Sequence, residues 1–274
     1  MRLRSLLYVP AHVERFVAKA HERGADAVIL DLEDAVPAAE KATARAALTK
    51  AVPDVGRSGA RVFVRVNATE LCIMDAEAAI TAGADGLMLP KVESPGDLDR
   101  LPKGSKKVIA IIESASGLLA AQQIAAHPRV IALCLGGEDF ATDTGATPSA
   151  ETLRLPKLLT HYAAKAHGKL SLGLLRSVAQ FDDTEGLTEA AAEAARFGFD
   201  GASCIHPKVV PVLNAAFVPD EASIAHARRV IAAATEAEAQ GKGAFLLDGE
   251  FIDAPIVSRA RSVLDRAGIV PSHE

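Results

Sequence analysis

Two apolar runs of strand length end in carboxylates. Val108-Ile109-Ala110-Ile111-Ile112 leads into Glu113, and Val130-Ile131-Ala132-Leu133-Cys134-Leu135 leads through Gly136-Gly137 into Glu138-Asp139. Continuous runs of this kind read as buried parallel strands, and if the two are neighbours, Glu113 and Asp139 end them at one rim and share a corner. Two carboxylates with positions left for water and substrate oxygens suit a magnesium ion, whereas zinc would want histidine or cysteine. Buried paired acids need such a charge partner. Glu138 competes as a ligand. The alternative is helix capping, for which Ser114, Ser116 and Asp139 are suitable types.

Arg65 follows Val62-Phe63-Val64 and offers a forked donor for a carboxylate or a developing enolate oxygen, a role lysine fills less well. An ion pair with Glu33 or Asp34 is an equally open reading, and both can hold if an acid fixes the guanidinium. Asp31, Glu33 and Asp34 follow the apolar run 27–30. They either support Arg65 or the metal's waters, or form the negative start of a helix beginning near Ala38. Lys91 and His206 also stand where apolar runs end; a histidine before Pro207 reads more readily as a loop anchor than as a catalyst. The sequence contains no nucleophile elbow and no HExxH motif.

Positioning these groups requires a scaffold that delivers strand ends to one side. Strand-like runs at 6–9, 27–30, 62–66, 86–89, 108–112, 130–135, 170–174 and 201–204 alternate with helix-like segments. That alternation gives the α/β class with a parallel sheet. Eight such units in about 250 residues make a (β/α)8 barrel, whose chemistry belongs at the C-terminal mouth. The expected partition is a barrel over 1–218 and a C-terminal lid extension over 219–274. Within the extension, 221–239 reads as a helix, Gly241-Lys242-Gly243 breaks it, and Asp248-Gly249 turns a hairpin before a final helix. Asp253 follows Phe251-Ile252 as a polar residue in an apolar setting.

With 274 residues, 49% of them hydrophobic, the chain can bury one large core. A net charge of -5, with lysines and arginines dispersed, leaves no basic footprint for nucleic acid. No run has the length of a membrane span, and no secretory leader is read. Cys72, Cys134 and Cys204 have no metal-like spacing and are odd in number, so a reducing, cytoplasmic setting is expected.

The motifs together resemble the citrate lyase beta-subunit-like family of the HpcH/HpaI aldolase/citrate lyase superfamily, which includes malyl-CoA and citramalyl-CoA lyases. The segments that carry the resemblance are Arg4-Ser5-Leu6-Leu7-Tyr8-Val9-Pro10, Leu30-Asp31-Leu32-Glu33-Asp34, Arg65-Val66-Asn67, Leu89-Pro90-Lys91, Ile112-Glu113-Ser114, Gly136-Gly137-Glu138-Asp139, Cys204-Ile205-His206-Pro207 and Phe251-Ile252-Asp253-Ala254-Pro255. They run in the family's order over nearly the whole chain.

The resemblance implies a magnesium-dependent, reversible Claisen-type cleavage of a 3-hydroxy acyl-CoA to acetyl-CoA and a 2-oxo acid. Glu113 and Asp139 would hold the metal, and substrate would meet Arg65, Glu113, Gly137 and Glu138, with Asp31, Glu33 and Asp34 behind them. Asp253 would act as acid/base from a lid that reaches into a neighbouring subunit, implying a homo-oligomer, a trimer or hexamer. CoA phosphates need cationic donors, for which Lys19 and Arg15 are candidates. Thioester hydrolysis of malyl-CoA and a non-catalytic CoA or oxo-acid binding subunit are the alternatives. Two departures bear on substrate: residues 170–181 lack the acid expected around that strand end, and 145–151 lack an expected arginine. Arg176 and Ser177 are candidate replacements for the lost contact.

Overall fold

Continuous apolar strands form because both their faces are covered. Eight of them, β1 (Ser5–Pro10), β2 (Ala27–Asp31), β3 (Arg61–Arg65), β4 (Gly86–Leu89), β5 (Val108–Ile112), β6 (Val130–Leu135), β7 (Leu170–Leu172) and β8 (Ala202–Cys204), make one parallel sheet. The computed structural model describes residues 2–103, 107–175 and 182–269, which divide into two units, Met1–Phe217 and Val218–Glu274. In the first unit the strand order is β7-β6-β5-β4-β3-β2-β1-β8. A bridge between Leu172 and Gly201 joins the two ends, with Asp200 N–H donating to Ser171 O (2.9 Å) and Gly173 N–H to Gly201 O (2.8 Å). The sheet is thus a (β/α)8 barrel.

Alternation assigns each side chain a face. Leu6, Ile29, Phe63, Met88, Ile109 and Leu172 fill the barrel interior. Their neighbours Leu7, Val28, Val62, Leu87 and Val108 pack outward in the core shared with the helices. Two faces of burial explain why the strands read as unbroken apolar runs.

Three expectations shift. The third strand spans Arg61–Arg65 rather than 62–66, and the seventh ends at Leu172 rather than 174 because Gly173 turns its N–H to Gly201. Asp139 does not end a strand. Strand β6 stops at Leu135, Gly136 N–H bonds Ile112 O (2.9 Å), and a helix starts at once, Gly137–Thr144, with Asp139 as its third residue.

The second unit has its own core of Ala227, Val230, Ile252, Ala260 and Leu264. Its helix Glu221–Ala239 is capped by Asp220, which accepts from Ser223 N–H (2.6 Å). A hairpin follows, β9 (Phe245–Leu247) and β10 (Glu250–Ile252), and then the helix Ala254–Ala267. Asp248 (φ 53) and Gly249 (φ 85) both take positive φ, the requirement of a tight two-residue hairpin turn. Among the described residues, no helix is long and apolar enough to cross a membrane.

Barrel closure depends on Gly201, since a Cβ there would lie 1.9 Å from the carbonyl oxygen of Leu3. Gly201→Ala is expected to lower stability by about 3 kcal/mol, the upper end for overpacking against unyielding backbone, measured as a fall in the urea midpoint.

Candidate active site

The register of β2 on β3 pairs Asp31 with Arg65. Their side chains meet in a fork: Arg65 Nε donates to Asp31 Oδ1 (2.7 Å) and Nη2 to Oδ2 (2.6 Å). Asp31 is only 1% exposed, and its oxygens also accept the N–H groups of Glu33 (2.9 Å) and Ala35 (3.2 Å). Arg65 Nη1 donates to Asp34 (3.0 Å), and the guanidinium lies 5.0 Å from the centre of the Tyr8 ring. Burial alone would weaken the charge, but the Asp31 hydrogen bonds outweigh it and hold the Arg65 pKa above its ordinary value. Asp31 therefore fixes both the position and the charge of Arg65.

The loop that carries these acids is tied from behind. Lys41 Nζ donates to the carbonyls of Leu32 (3.0 Å) and Glu33 (2.9 Å) and to Asn67 Oδ1 (2.6 Å). Asn67 Nδ2 in turn donates to Leu32 O (3.0 Å) and to buried Asp75 (2.6 Å). Glu33 Oε2 stands 2.9 Å from Arg65 Nη1 yet accepts no hydrogen bond, so this is an ion pair out of alignment. Burial first, then the charges of Asp34 and Glu113, push the Glu33 carboxyl up to about 8 against the pull of Arg65.

Glu113 follows β5 directly and is 6% exposed. Its Oε2 accepts the N–H of Lys91 (2.7 Å), whose φ of 54 is uncommon for a residue with a side chain. Gly136 makes room for the other oxygen, since a Cβ at that position would lie 2.4 Å from Glu113 Oε1. Burial raises the Glu113 carboxyl to about 7, and the nearby charge of Asp139 adds to the rise. Capping of the helix Ala115–Ala126 falls to Ser114, which accepts from Gly117 N–H (3.0 Å).

Two carboxylates that repel one another are a donor set for a hard cation, with water and substrate oxygens completing the shell. Among the described residues, no group of three or more His, Cys, Asp or Glu could hold a metal. A fully protein-ligated site is therefore not what these residues offer; a two-carboxylate magnesium site fits.

A cavity of about 510 Å³ brings Arg65, Glu113 and Asp139 together, with Asp31, Asp34, Gly137 and Glu138 also in its lining. Glu33, ion-paired with Arg65, is not among the lining residues. A second cavity, about 560 Å³, is lined by Arg15, Lys19, Arg23 and His206. Tyr8, Pro10 and Ile205 border both cavities. His206 Nδ1 accepts the N–H of Lys208 (3.3 Å), which anchors its loop. In the second unit Asp253 caps the helix Ala254–Ala267, its Oδ1 3.4 Å from Ile256 N. Arg176 and Ser177 lie outside the described residues.

The sequence reading left out Tyr8 as a platform for Arg65, Gly136 as the space for Glu113, the Lys41-Asn67-Asp75 network and, most of all, Lys157. Lys157 lines the same cavity as Arg65 and Glu113 although only 7% exposed. Burial lowers its amine to about 8, opposed in part by the exposed Glu138. Tyr8, Gly136 and Asn67 stood inside quoted motifs; Lys157, in the middle of the helix Ala150–Ala166, gave no signal beyond a charge beside apolar neighbours.

Comparison with known proteins adds relatives. The model of the HpcH/HpaI aldolase/citrate lyase family matches residues 4–207. A (3S)-malyl-CoA thioesterase of Cereibacter sphaeroides is 38% identical over 96% of this chain and 94% of its own. The citrate lyase subunit beta of Haemophilus influenzae is 35% identical over 96% of each. Among solved structures, protein CitE from Mycobacterium tuberculosis in complex with magnesium, acetoacetate and coenzyme A superposes with a TM-score of 0.79 at 36% identity, covering 96% of this chain and 97% of that one. The citrate lyase beta subunit from M. tuberculosis, complexed with oxaloacetate and magnesium, gives 0.70 at 35% identity over 80% of this chain and 98% of that one.

Gly136→Ala is expected to displace the Glu113 carboxylate and weaken divalent-ion binding at least tenfold while circular dichroism stays unchanged. Titration with Mn2+ monitored by water-proton relaxation measures it. Lys157 gives a pH signature. Its amine falls from about 10.4 in an unfolded chain to about 8, so folding loses about 3 kcal/mol while the amine is charged in both states. The unfolded state binds more protons between those values, so stability rises as pH increases from about 8 towards 10. Lys157→Met should raise stability at pH 7 and flatten that rise in urea melts.

Proposed function

We propose the following activity for this chain, which belongs to the HpcH/HpaI aldolase/citrate lyase family: a magnesium-dependent carbon–carbon lyase. It reversibly cleaves a 3-hydroxy acyl-CoA of the malyl-, citramalyl- or citryl-CoA type to acetyl-CoA and a 2-oxo acid. The observation that carries the reading is Arg65, clamped by Asp31, in one cavity with Glu113 and Asp139. Relatives crystallised with magnesium and coenzyme A, or with magnesium and oxaloacetate, support it.

Glu113 and Asp139 would hold the magnesium, which when bound supplies positive charge to the substrate's carboxylate and hydroxyl. Backbone N–H groups at Gly137 and Glu138 open a helix and suit the same carboxylate. Asp253 takes the hydroxyl proton, the carbon–carbon bond breaks with its electron pair moving to the thioester oxygen as an enolate forms, and Asp253 returns the proton to the enolate carbon to give acetyl-CoA. Arg65 stabilises that enolate. A guanidinium carries five donors, and three of these go to Asp31 and Asp34, which leaves donors for substrate. In the condensation direction Asp253 removes a proton from the acetyl methyl.

The CoA phosphates belong with Lys19 and Arg15 in the second cavity, and the thioester arm passes Tyr8, Pro10 and Ile205 into the first. Residues 219–274 serve as a lid that brings Asp253 to the site of a neighbouring copy in a homotrimer or hexamer, in the cytoplasm. A second reading, hydrolysis of the malyl-CoA thioester, is favoured by the 38% identity to a (3S)-malyl-CoA thioesterase.

Purified protein, given magnesium and malyl-, citramalyl- or citryl-CoA, is expected to release acetyl-CoA with glyoxylate, pyruvate or oxaloacetate in equal amounts, read by mass spectrometry and lost with EDTA. Free CoA with an intact hydroxy acid would establish the thioesterase instead. Asp253→Asn should abolish turnover yet retain acyl-CoA binding; unchanged activity would remove Asp253 from the mechanism. Asp31→Ala should lower kcat about 100-fold through misplacement of Arg65.

A further inference from the structure

The group that grips Glu113 comes from the neighbouring strand. After β4 the chain runs Leu89-Pro90-Lys91-Val92. Leu87 N–H bonds Lys107 O (2.9 Å) and Val92 N–H bonds Ile111 O (3.1 Å), so between these two bonds this segment spends one residue more than β5. The surplus falls between two buried residues, Pro90 and Val92, and exposed Lys91 takes it up with a φ of 54. Val92 has no room to shift, because a Cβ on Gly117 of the next helix would stand 2.5 Å from Val92 O. An extra residue in a ladder re-aims a backbone group. Pro90 has no N–H to offer, so the first donor past the strand is that of Lys91, and it meets Glu113 Oε2 at 2.7 Å.

We propose that Lys91 is a positioning residue: its left-handed backbone occupies one oxygen of Glu113 and so makes this carboxylate a one-oxygen ligand, selective for magnesium over calcium. This rests on the magnesium reading and adds how the ligand is presented. A free carboxylate offers a cation both oxygens, which suits the larger and more flexible shell of calcium. Magnesium takes a small octahedral shell, which one oxygen per carboxylate serves better. Here Oε2 is bonded to the Lys91 N–H, and Oε1 lies beside Gly136, whose missing Cβ leaves it room. A ligating carboxylate that accepts a hydrogen bond is held in one orientation. The left-handed conformation is sterically costly for any residue with a Cβ, and an exposed lysine side chain gives no packing in return. What the turn supplies is its N–H. The Lys91 ammonium, near enough to Glu33 and Glu113 to act on their charge, has the same sign as the ion and cannot hold it.

The test needs no turnover. The full-length protein is titrated with magnesium and with calcium, and infrared difference spectra of protein carrying isotope-labelled glutamate read the carboxylate stretches. The wild type is expected to show one-oxygen coordination when magnesium is added. The amide between Pro90 and Lys91 is then replaced by an ester, through incorporation of the α-hydroxy analogue of lysine, which removes the N–H and keeps the side chain. Magnesium affinity should fall about tenfold or more, and calcium affinity less, so that their ratio drops. Lys91→Gly keeps the N–H and adopts the turn without steric cost; it should carry the wild-type spectrum and melt at a higher temperature when metal-free. Two-oxygen coordination in the wild type, an unchanged ratio in the folded ester, or a loss in Lys91→Gly equal to that in the ester would overturn the proposal. A wild type that binds neither ion would defeat the magnesium reading and this proposal with it, whereas failure of the ester or glycine result alone leaves the magnesium reading standing.

Discussion

The barrel mouth is held together by a charge imbalance. One guanidinium, Arg65, faces Asp31, Glu33 and Asp34, and Glu113 and Asp139 stand across the same opening. Asp31 is satisfied by a two-pronged bond and two backbone N–H groups, so it spends the guanidinium's charge on positioning. Glu33 meets Arg65 only as an ion pair out of alignment, Glu113 is bonded to the Lys91 N–H, and burial raises both carboxyls towards neutral pH or above. A divalent cation held by Glu113 and Asp139, as proposed above, would offset this surplus of negative charge. Around it, the Lys41-Asn67-Asp75 network holds the acidic loop, and Gly136 leaves space for the Glu113 carboxylate.

The scaffold makes this arrangement affordable. Parallel strands buried on both faces leave their C-terminal ends as the place where polar side chains reach open space, so successive strands deliver Asp31, Arg65 and Glu113 to one rim. Asp139 reaches it differently, from the first turn of a helix that starts two residues after β6. Carboxylates are favoured there by the unpaired N–H groups at the helix start.

Much of this was legible in the sequence because it depends on local pattern. Unbroken apolar runs marked eight strands, and the residue type at each strand end named Arg65 and Glu113. What escaped was set by distance in the chain. Nothing near Asp31 reveals that its partner is Arg65 and not a metal water; the register of β2 on β3 decides that. The turn of the chain after Leu172 depends on Gly201, which lies beyond the next helix. Lys157 reads as an ordinary helical lysine, and only packing against β7 shows that its charge is enclosed.

The most direct test of the charge-deficit account is the stoichiometry and location of a bound divalent ion. Mn2+ electron paramagnetic resonance on the purified protein should show one ion per chain, displaced by magnesium. That signal should be lost in Glu113→Gln and in Asp139→Asn and retained in Asp34→Asn. A protein that binds no ion, or one whose binding survives both Glu113→Gln and Asp139→Asn, would contradict the account.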